Sequence, residues 1–255
     1  MALVQIAHSA RSVGVNQPLW LIVPDPAELA ERPLSERPVL YLLHGLSDDA
    51  SAWARYTSIE MVARQYGLVV VMPTAGRSFY ADMRNGQAYF TYVTEELPRY
   101  LTELFNLRPP RERTLVAGNS MGGYGALKCG LLQPERYGAV CSLSGVTSLQ
   151  LLESATPKCR AEFELVFGDL GALTGSQHDP AVWLADAAAT PGRIPRLHAC
   201  CGTEDELIGL NRQFAAQCRA LGVPLQYDEE PGAHNWFYWD VAIRRFLACE
   251  LGGAA

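Results

Sequence analysis

A serine hydroxyl is a poor nucleophile unless it is held exposed beside a base, and the run Gly118-Asn119-Ser120-Met121-Gly122-Gly123 has the residue types for that arrangement. The run follows the apolar stretch Thr114-Leu115-Val116-Ala117 and precedes a helix-like stretch, which predicts a strand, a sharp turn and a helix with Ser120 at the apex. Gly118 and Gly122 let neighbouring backbones approach where a Cβ would clash. A bare G-x-S-x-G also occurs in ordinary glycine-rich turns, so it is the flanking elements that favour a nucleophile.

Such a serine needs a base and a group that orients it. The sequence offers Gly202-Thr203-Glu204-Asp205 after one apolar stretch and Glu230-Pro231-Gly232-Ala233-His234 after the next. His234 is the candidate base, because it sits in a loop from which an imidazole can reach both the serine and an acid. His8 and His198 fall within strands, His178 in a loop of the later insertion, and His44 too early in the chain. Asp205 is the candidate acid; Glu204 and Glu206 crowd it and read as solvated carboxylates at a helix start, with Asp186 as a fallback. The oxyanion of an acyl-transfer intermediate would need fixed donors, and the backbone N–H groups of Met121 and of Leu46, after His44-Gly45, are the candidates. His44-Gly45-Leu46 could also be a plain strand-to-helix turn.

Strand ends must carry these groups, and the apolar pattern supplies them. Val39 to Leu43 and Leu68 to Met72 are continuous apolar runs of buried parallel strands, with a helix from about Ser51 to Tyr66 between them. Helical spacing covers Tyr89 to Phe105, where Pro98 marks a bend. A strand at Thr114, a helix from Met121 to Gln133 and a strand from Tyr137 to Leu143 follow. Residues 146–195 break the rhythm and read as a helical insertion, whose Phe163, Phe167 and Trp183 could wall a substrate pocket or simply pack. Strand and helix then alternate again: Leu197 to Cys201, Leu207 to Leu221, Leu225 to Glu229, Trp236 to Leu251. Leu3 to His8 and Leu19 to Val23, joined by Gly14 and Asn16 turn chemistry, suggest an antiparallel opening, and Pro24 to Pro38 a polar connection. The alternation predicts one α/β domain over 1–255, with a mostly parallel sheet, helices on both faces, and the ligand site beyond the carboxyl ends of the strands.

Composition narrows the partner. A net charge of −6 with no Lys or Arg run gives no footprint for nucleic acid or an anionic membrane, so a small-molecule substrate is expected. The first residues lack the pattern of a secretory signal, and no apolar run is long enough to span a bilayer. The seven cysteines are odd in number and lie mostly in apolar segments, which fits reduced thiols in a cytoplasmic chain. No cysteine pair has zinc-ligand spacing with a matching histidine, so neither a metal nor a cofactor is expected. A homo-oligomer is left open.

These residues resemble the esterase group of the α/β-hydrolases that holds esterase D, S-formylglutathione hydrolases, tributyrin esterases and feruloyl or acetylxylan esterase domains. The resemblance covers nearly the whole chain. It rests on Leu42-Leu43-His44-Gly45-Leu46, Tyr80-Ala81-Asp82-Met83, Thr94-Glu95-Glu96-Leu97, Gly118 to Ala126, Gly202-Thr203-Glu204-Asp205 and Pro231 to Trp236. The chain order Ser, Asp, His is that of an α/β-hydrolase triad. The resemblance, strongest to the tributyrin esterase branch, implies hydrolysis of short-chain acyl esters without a cofactor. The formylglutathione branch has a cysteine-containing stretch and a histidine where this chain has Ser47-Asp48-Asp49 and Asn119, so a glutathione thioester fits less well. An acyltransferase of the mycolyltransferase kind, a serine peptidase, or a non-catalytic module on the same scaffold are the alternatives.

Overall fold

The computed structural model describes residues 1–252. The chain enters through a hairpin of β1 (Ala2–Ala10) and β2 (Val15–Val23), turning at Gly14 with φ 68°. Asn16 belongs to β2, where it pairs with Ser9, and is not part of the turn. The connection that follows holds a short helix, α1 (Pro26–Glu31), before β3 (Val39–Leu43).

Two helices, α2 (Ala52–Tyr56) and α3 (Ile59–Tyr66), occupy the stretch where the sequence predicts one. Side-chain hydrogen bonds explain the break. The Thr57 hydroxyl donates back to the Trp53 carbonyl at 2.5 Å, while the Asp240 carboxylate accepts from both the N–H and the hydroxyl of Ser58 at 2.7 Å. After β4 (Val69–Pro73), α4 (Tyr89–Thr91) passes through a π-helical turn at Tyr92–Glu96 into α5 (Leu97–Phe105). Pro98 lies in the first turn of α5, where a missing N–H is tolerated, and the irregularity sits in the widened turn before it. There the Glu96 carboxylate accepts from the backbone N–H groups of Arg11 (2.6 Å) and Ser12 (2.7 Å), pinning the entry hairpin.

β5 (Thr114–Asn119), α6 (Met121–Leu132) and β6 (Ala139–Leu143) come next. The stretch 146–195 contributes α7 (Pro157–Phe167) and α8 (Pro180–Ala188) with short 3₁₀ turns. The chain then runs through β7 (Arg196–Gly202), α9 (Ile208–Ala220), β8 (Leu225–Glu230) and α10 (Trp236–Leu251). One sheet holds all eight strands in the order β1-β2-β4-β3-β5-β6-β7-β8, antiparallel at β1-β2 and β2-β4 and parallel elsewhere.

The period-two geometry of a strand splits β3 between two cores. Val39, Tyr41 and Leu43 face α5, α6 and α8; Leu40 and Leu42 face α3 and α10. Covered on both sides, the strand has no polar face, which is why it reads as an unbroken apolar run. Helix α6 is buried from Met121 to Leu131, and its Gly123, Gly125 and Gly130 reflect close neighbours on every side.

Candidate active site

β5 delivers Ser120 at a sharp turn. Ser120 has φ 54° and ψ −116°, a conformation that side chains rarely adopt and that typically costs about 1–3 kcal/mol. The surroundings impose it. The Ser120 N–H donates to the Leu143 carbonyl at 2.9 Å, and the Ser120 carbonyl accepts from the N–H groups of Gly123 (3.0 Å), Tyr124 (3.2 Å) and Val146 (3.1 Å). A Cβ on Gly118 would lie 2.5 Å from the Gly122 carbonyl oxygen, and one on Gly122 would strike the Leu43 carbonyl. Both glycines are thus set by close backbone approach, as the sequence pattern implies.

His234 and Asp205 meet beyond the ends of β8 and β7. The imidazole Nδ1 donates to the Asp205 carboxylate, 2.9 Å from one oxygen and 3.0 Å from the other. That bond fixes the tautomer and leaves Nε2 as the basic nitrogen. Asp205 is buried, whereas Glu204, Glu206 and Asp186 are exposed and make no bond to His234. Burial pushes the Asp205 carboxyl up, but hydrogen bonds from His234, the Leu207 N–H and Ser144 outweigh it and hold the group below the usual carboxylate range.

The turn after β6 joins the two halves of the site. Gly145 and Val146 pack on the elbow through the Val146 N–H bond to Ser120, and Ser144, at φ 46°, donates to Asp205 while accepting from Trp239 Nε1 at 3.1 Å. Trp239 stands edge-on to the His234 ring, centroids 4.9 Å apart. The acid and base loops are also joined to each other. Glu204 accepts from the Gly232 N–H and donates its own N–H to the Gly232 carbonyl at 2.9 Å, and Thr203 N–H reaches the Glu230 carbonyl at 2.8 Å. Ser144 and Glu204 support the site without any sequence pattern that marks them.

The carboxyl end of β3 carries the second donor turn. His44 is buried; its Nδ1 donates to the Gly45 carbonyl at 2.8 Å and its Nε2 accepts from the Ala75 N–H at 2.9 Å. With burial lowering its pKa, His44 is a neutral clamp between β3 and the loop after β4. The Tyr80 hydroxyl donates to the His44 carbonyl at 2.9 Å and Trp53 Nε1 to the Leu43 carbonyl at 3.0 Å, so the carbonyls of this strand end are occupied. Among the described residues, the N–H groups of Leu46 and Met121 have no acceptor within the chain. Two unused backbone donors, one at the N-terminus of α6 and one after β3, have the chemistry to bind an anionic oxygen. Asn119 lies beneath this turn, fully buried, its amide 2.9 Å from where a Gly45 Cβ would be; neither its oxygen nor its nitrogen has a partner among the described residues.

The insertion aromatics pack. Phe79, Phe163, Phe167, Tyr124 and Trp183 form a buried cluster with edge-on contacts, Phe79 to Phe163 at 5.6 Å and Tyr124 to Trp183 at 5.1 Å among them. Of the remaining histidines, His8 bonds the Tyr92 hydroxyl at 2.8 Å, His178 lends its carbonyl to Tyr124, and His198 pairs with Glu250. All seven cysteines are free.

The parallel sheet and the serine elbow define a serine hydrolase of the α/β-hydrolase fold. The chain belongs to the family described as Putative esterase, whose sequence profile matches residues 12–248, and it is a carboxylic ester hydrolase. It is 28% identical over 254 residues to an acetyl esterase of Caldicellulosiruptor saccharolyticus, spanning 95% of this chain and 96% of that one. Among solved structures it is similar to FphF, a fluorophosphonate-binding serine hydrolase of Staphylococcus aureus, with TM-score 0.90, 33% identity and 98% of each chain covered. It is similar also to the S-formylglutathione hydrolase FrmB of the same organism, with TM-score 0.88, 33% identity and 98% of each chain covered. No helix among the described residues is long and apolar enough to cross a membrane.

Proposed function

We propose that the protein hydrolyses short-chain acyl esters through an acyl-enzyme formed on Ser120. His234 Nε2 takes the hydroxyl proton as Ser120 attacks the ester carbonyl, and the N–H groups of Leu46 and Met121 hold the oxyanion. The protonated imidazole gives its proton to the leaving alcohol. Water, deprotonated by His234, then attacks the acyl carbonyl and releases the acid. Asp205 stabilises the imidazolium and keeps Nε2 facing the serine. The observation that carries this reading is the His234–Asp205 pair, bonded at 2.9 Å and linked to the Ser120 elbow through Ser144 and Val146.

Two features support a short acyl group. The aromatic cluster of Phe79, Phe163, Phe167, Tyr124 and Trp183 is packed and buried against itself and α6, and one relative is an acetyl esterase. Similarity to FrmB keeps S-formylglutathione as a second substrate to test. Against it, this chain has Ser47-Asp48-Asp49 and Asn119 where the resemblance implies a cysteine-containing stretch and a histidine, and Asp48 and Asn119 both approach the same point at Gly45.

The test is hydrolysis of an acyl ester series of increasing chain length, beside S-formylglutathione and an acetylated sugar, with Ser120→Ala as control. Rates should be highest for the shortest acyl groups and vanish in the control. Full activity of Ser120→Ala would end the mechanism, a preference for long chains would end the short-acyl assignment, and a dominant rate on S-formylglutathione would favour the second reading.

A further inference from the structure

We propose that His198, Cys249 and Glu250, with Gln226 beside them, form a zinc-binding site at the end of the sheet opposite Ser120. Helix α10 brings its last turn against the start of β7, so a strand residue and two helix-end residues meet. One donor atom from each of His198, Cys249 and Glu250 can be chosen so that all lie within 4.8 Å of one another. An imidazole nitrogen, a thiolate and a carboxylate oxygen are the donor types that zinc takes together. Tetrahedral zinc bonds of about 2.0–2.3 Å require donors roughly 3–4 Å apart, and rotation of the exposed Cys249 side chain at the helix end can supply the contraction.

The neighbours suit a metal. Arg196 binds only one Glu250 oxygen, from Nη2 at 2.6 Å and Nε at 2.8 Å, which orients the carboxylate and leaves Oε1 toward His198. His198 Nε2 donates to that Oε1 at 2.7 Å, and Phe246 holds the ring edge-on at 5.1 Å. Zinc would replace this one hydrogen bond by two metal bonds. Binding releases the Cys249 thiol proton and shifts the His198 proton from Nε2 to Nδ1, so that Nε2 is free to ligate and the ring stays neutral, with no electron transfer. A groove of about 720 Å³, lined by Arg196, His198, Gln226, Cys249 and Glu250 among others, gives the ion access. Gln226 Oε1, 3.6 Å from the Cys249 sulfur, offers a fourth donor, from β8. A bound ion would fasten β7, β8 and α10 together at their far ends. No short sequence spacing marks the site, because its residues converge only in the fold.

The full chain, stripped of metal with a chelator and dialysed, is titrated with zinc alone. Calorimetry reads the stoichiometry, and an aromatic disulfide reagent reads the accessibility of Cys249, the exposed one among the seven cysteines. One equivalent of zinc should bind, suppress the fast thiol reaction and raise the melting temperature. Cys249→Ser and His198→Gln should each weaken binding by roughly tenfold or more. Cys249 lies on the surface, so its serine variant will fold. A thiol reaction unchanged by saturating zinc, or undiminished zinc affinity in Cys249→Ser, overturns the proposal in favour of Glu250 serving only as the ion-pair partner of Arg196 and His198.

Discussion

Ser120 stores strain at the point where the proposed chemistry occurs, and that strain can be measured apart from activity. Replacing Ser120 with glycine removes both the hydroxyl and the penalty of φ 54°, whereas alanine removes only the hydroxyl. Ser120→Gly is therefore expected to be about 1 kcal/mol more stable than Ser120→Ala in urea unfolding, while neither hydrolyses esters. Equal stability would show that the elbow is unstrained. Asp205 makes a separate prediction. With asparagine in its place, the amide can donate to Nδ1 and favour the tautomer that puts the proton on Nε2, so kcat should fall by about 10⁴-fold with the fold intact. A loss of only a few-fold would remove Asp205 from the mechanism. Because hydrogen bonds hold its folded pKa below the unfolded value, Asp205 contributes stability above the ordinary carboxylate range and loses it as the pH falls through the lowered value.

At the scale of elements, the insertion is coupled by one residue to the turn proposed to hold the oxyanion. Arg77, in the loop after β4, engages the Glu162 carboxylate of α7 through Nε and through Nη2 (3.0 Å), and its Nη1 donates to the Ser47 hydroxyl at 2.9 Å. Ser47 follows the Leu46 donor and has φ 78°, so the fork restrains a turn that the backbone alone does not favour. Arg77→Lys keeps the charge but not the planar fork, and Glu162→Gln keeps the shape but not the charge. Both are expected to lower kcat more than they raise KM, by at most about fivefold, since the ion pair is partly exposed. A pure KM effect would place Arg77 in substrate binding instead of in positioning the turn.

For the whole molecule, a buried cation in the interior, Lys128, makes a prediction of its own. It lies on α6 with its ammonium 4.8 Å from the centre of the Phe90 ring, and burial lowers its pKa to about 8. The folded chain gives up this proton near pH 8 and the unfolded chain only near the ordinary lysine value of about 10.4. Between those values the unfolded state binds more protons, so this residue makes stability rise with pH and penalises folding at pH 7. Lys128→Met should raise the denaturation midpoint at pH 7, and its advantage over the parent should shrink between pH 8 and 10. An advantage independent of pH would mean that packing, not charge, sets the difference.

The buried strands, the elbow and the two loops holding Asp205 and His234 were legible in the sequence because each depends on local pattern. An apolar run bounded by glycine or proline reads as a strand, and the glycine-serine-glycine spacing marks the elbow within five residues, although the clash that requires Gly122 comes from Leu43 of β3. The helix Trp236–Leu251 was readable to the residue for the same reason, with Asn235 accepting from the Tyr238 N–H at 3.2 Å as its cap. What failed depended on distant partners. The split between α2 and α3 needs Asp240 from α10, and the π-helical turn beside Glu96 coincides with its grip on the Arg11–Ser12 backbone. Whether Phe163, Phe167 and Trp183 lined a pocket or packed could not be read, since aromatic residues serve both ends and only their shared contact with Tyr124 and Phe79 decides. By itself the sequence determined the order of the main strands and helices and which side chains have the residue types for the proposed chemistry. Tertiary structure decided which of them meet, that Ser144, Glu204 and Arg77 hold them, and that His198, Cys249 and Glu250 converge, because such pairings depend on how the strands and helices stack.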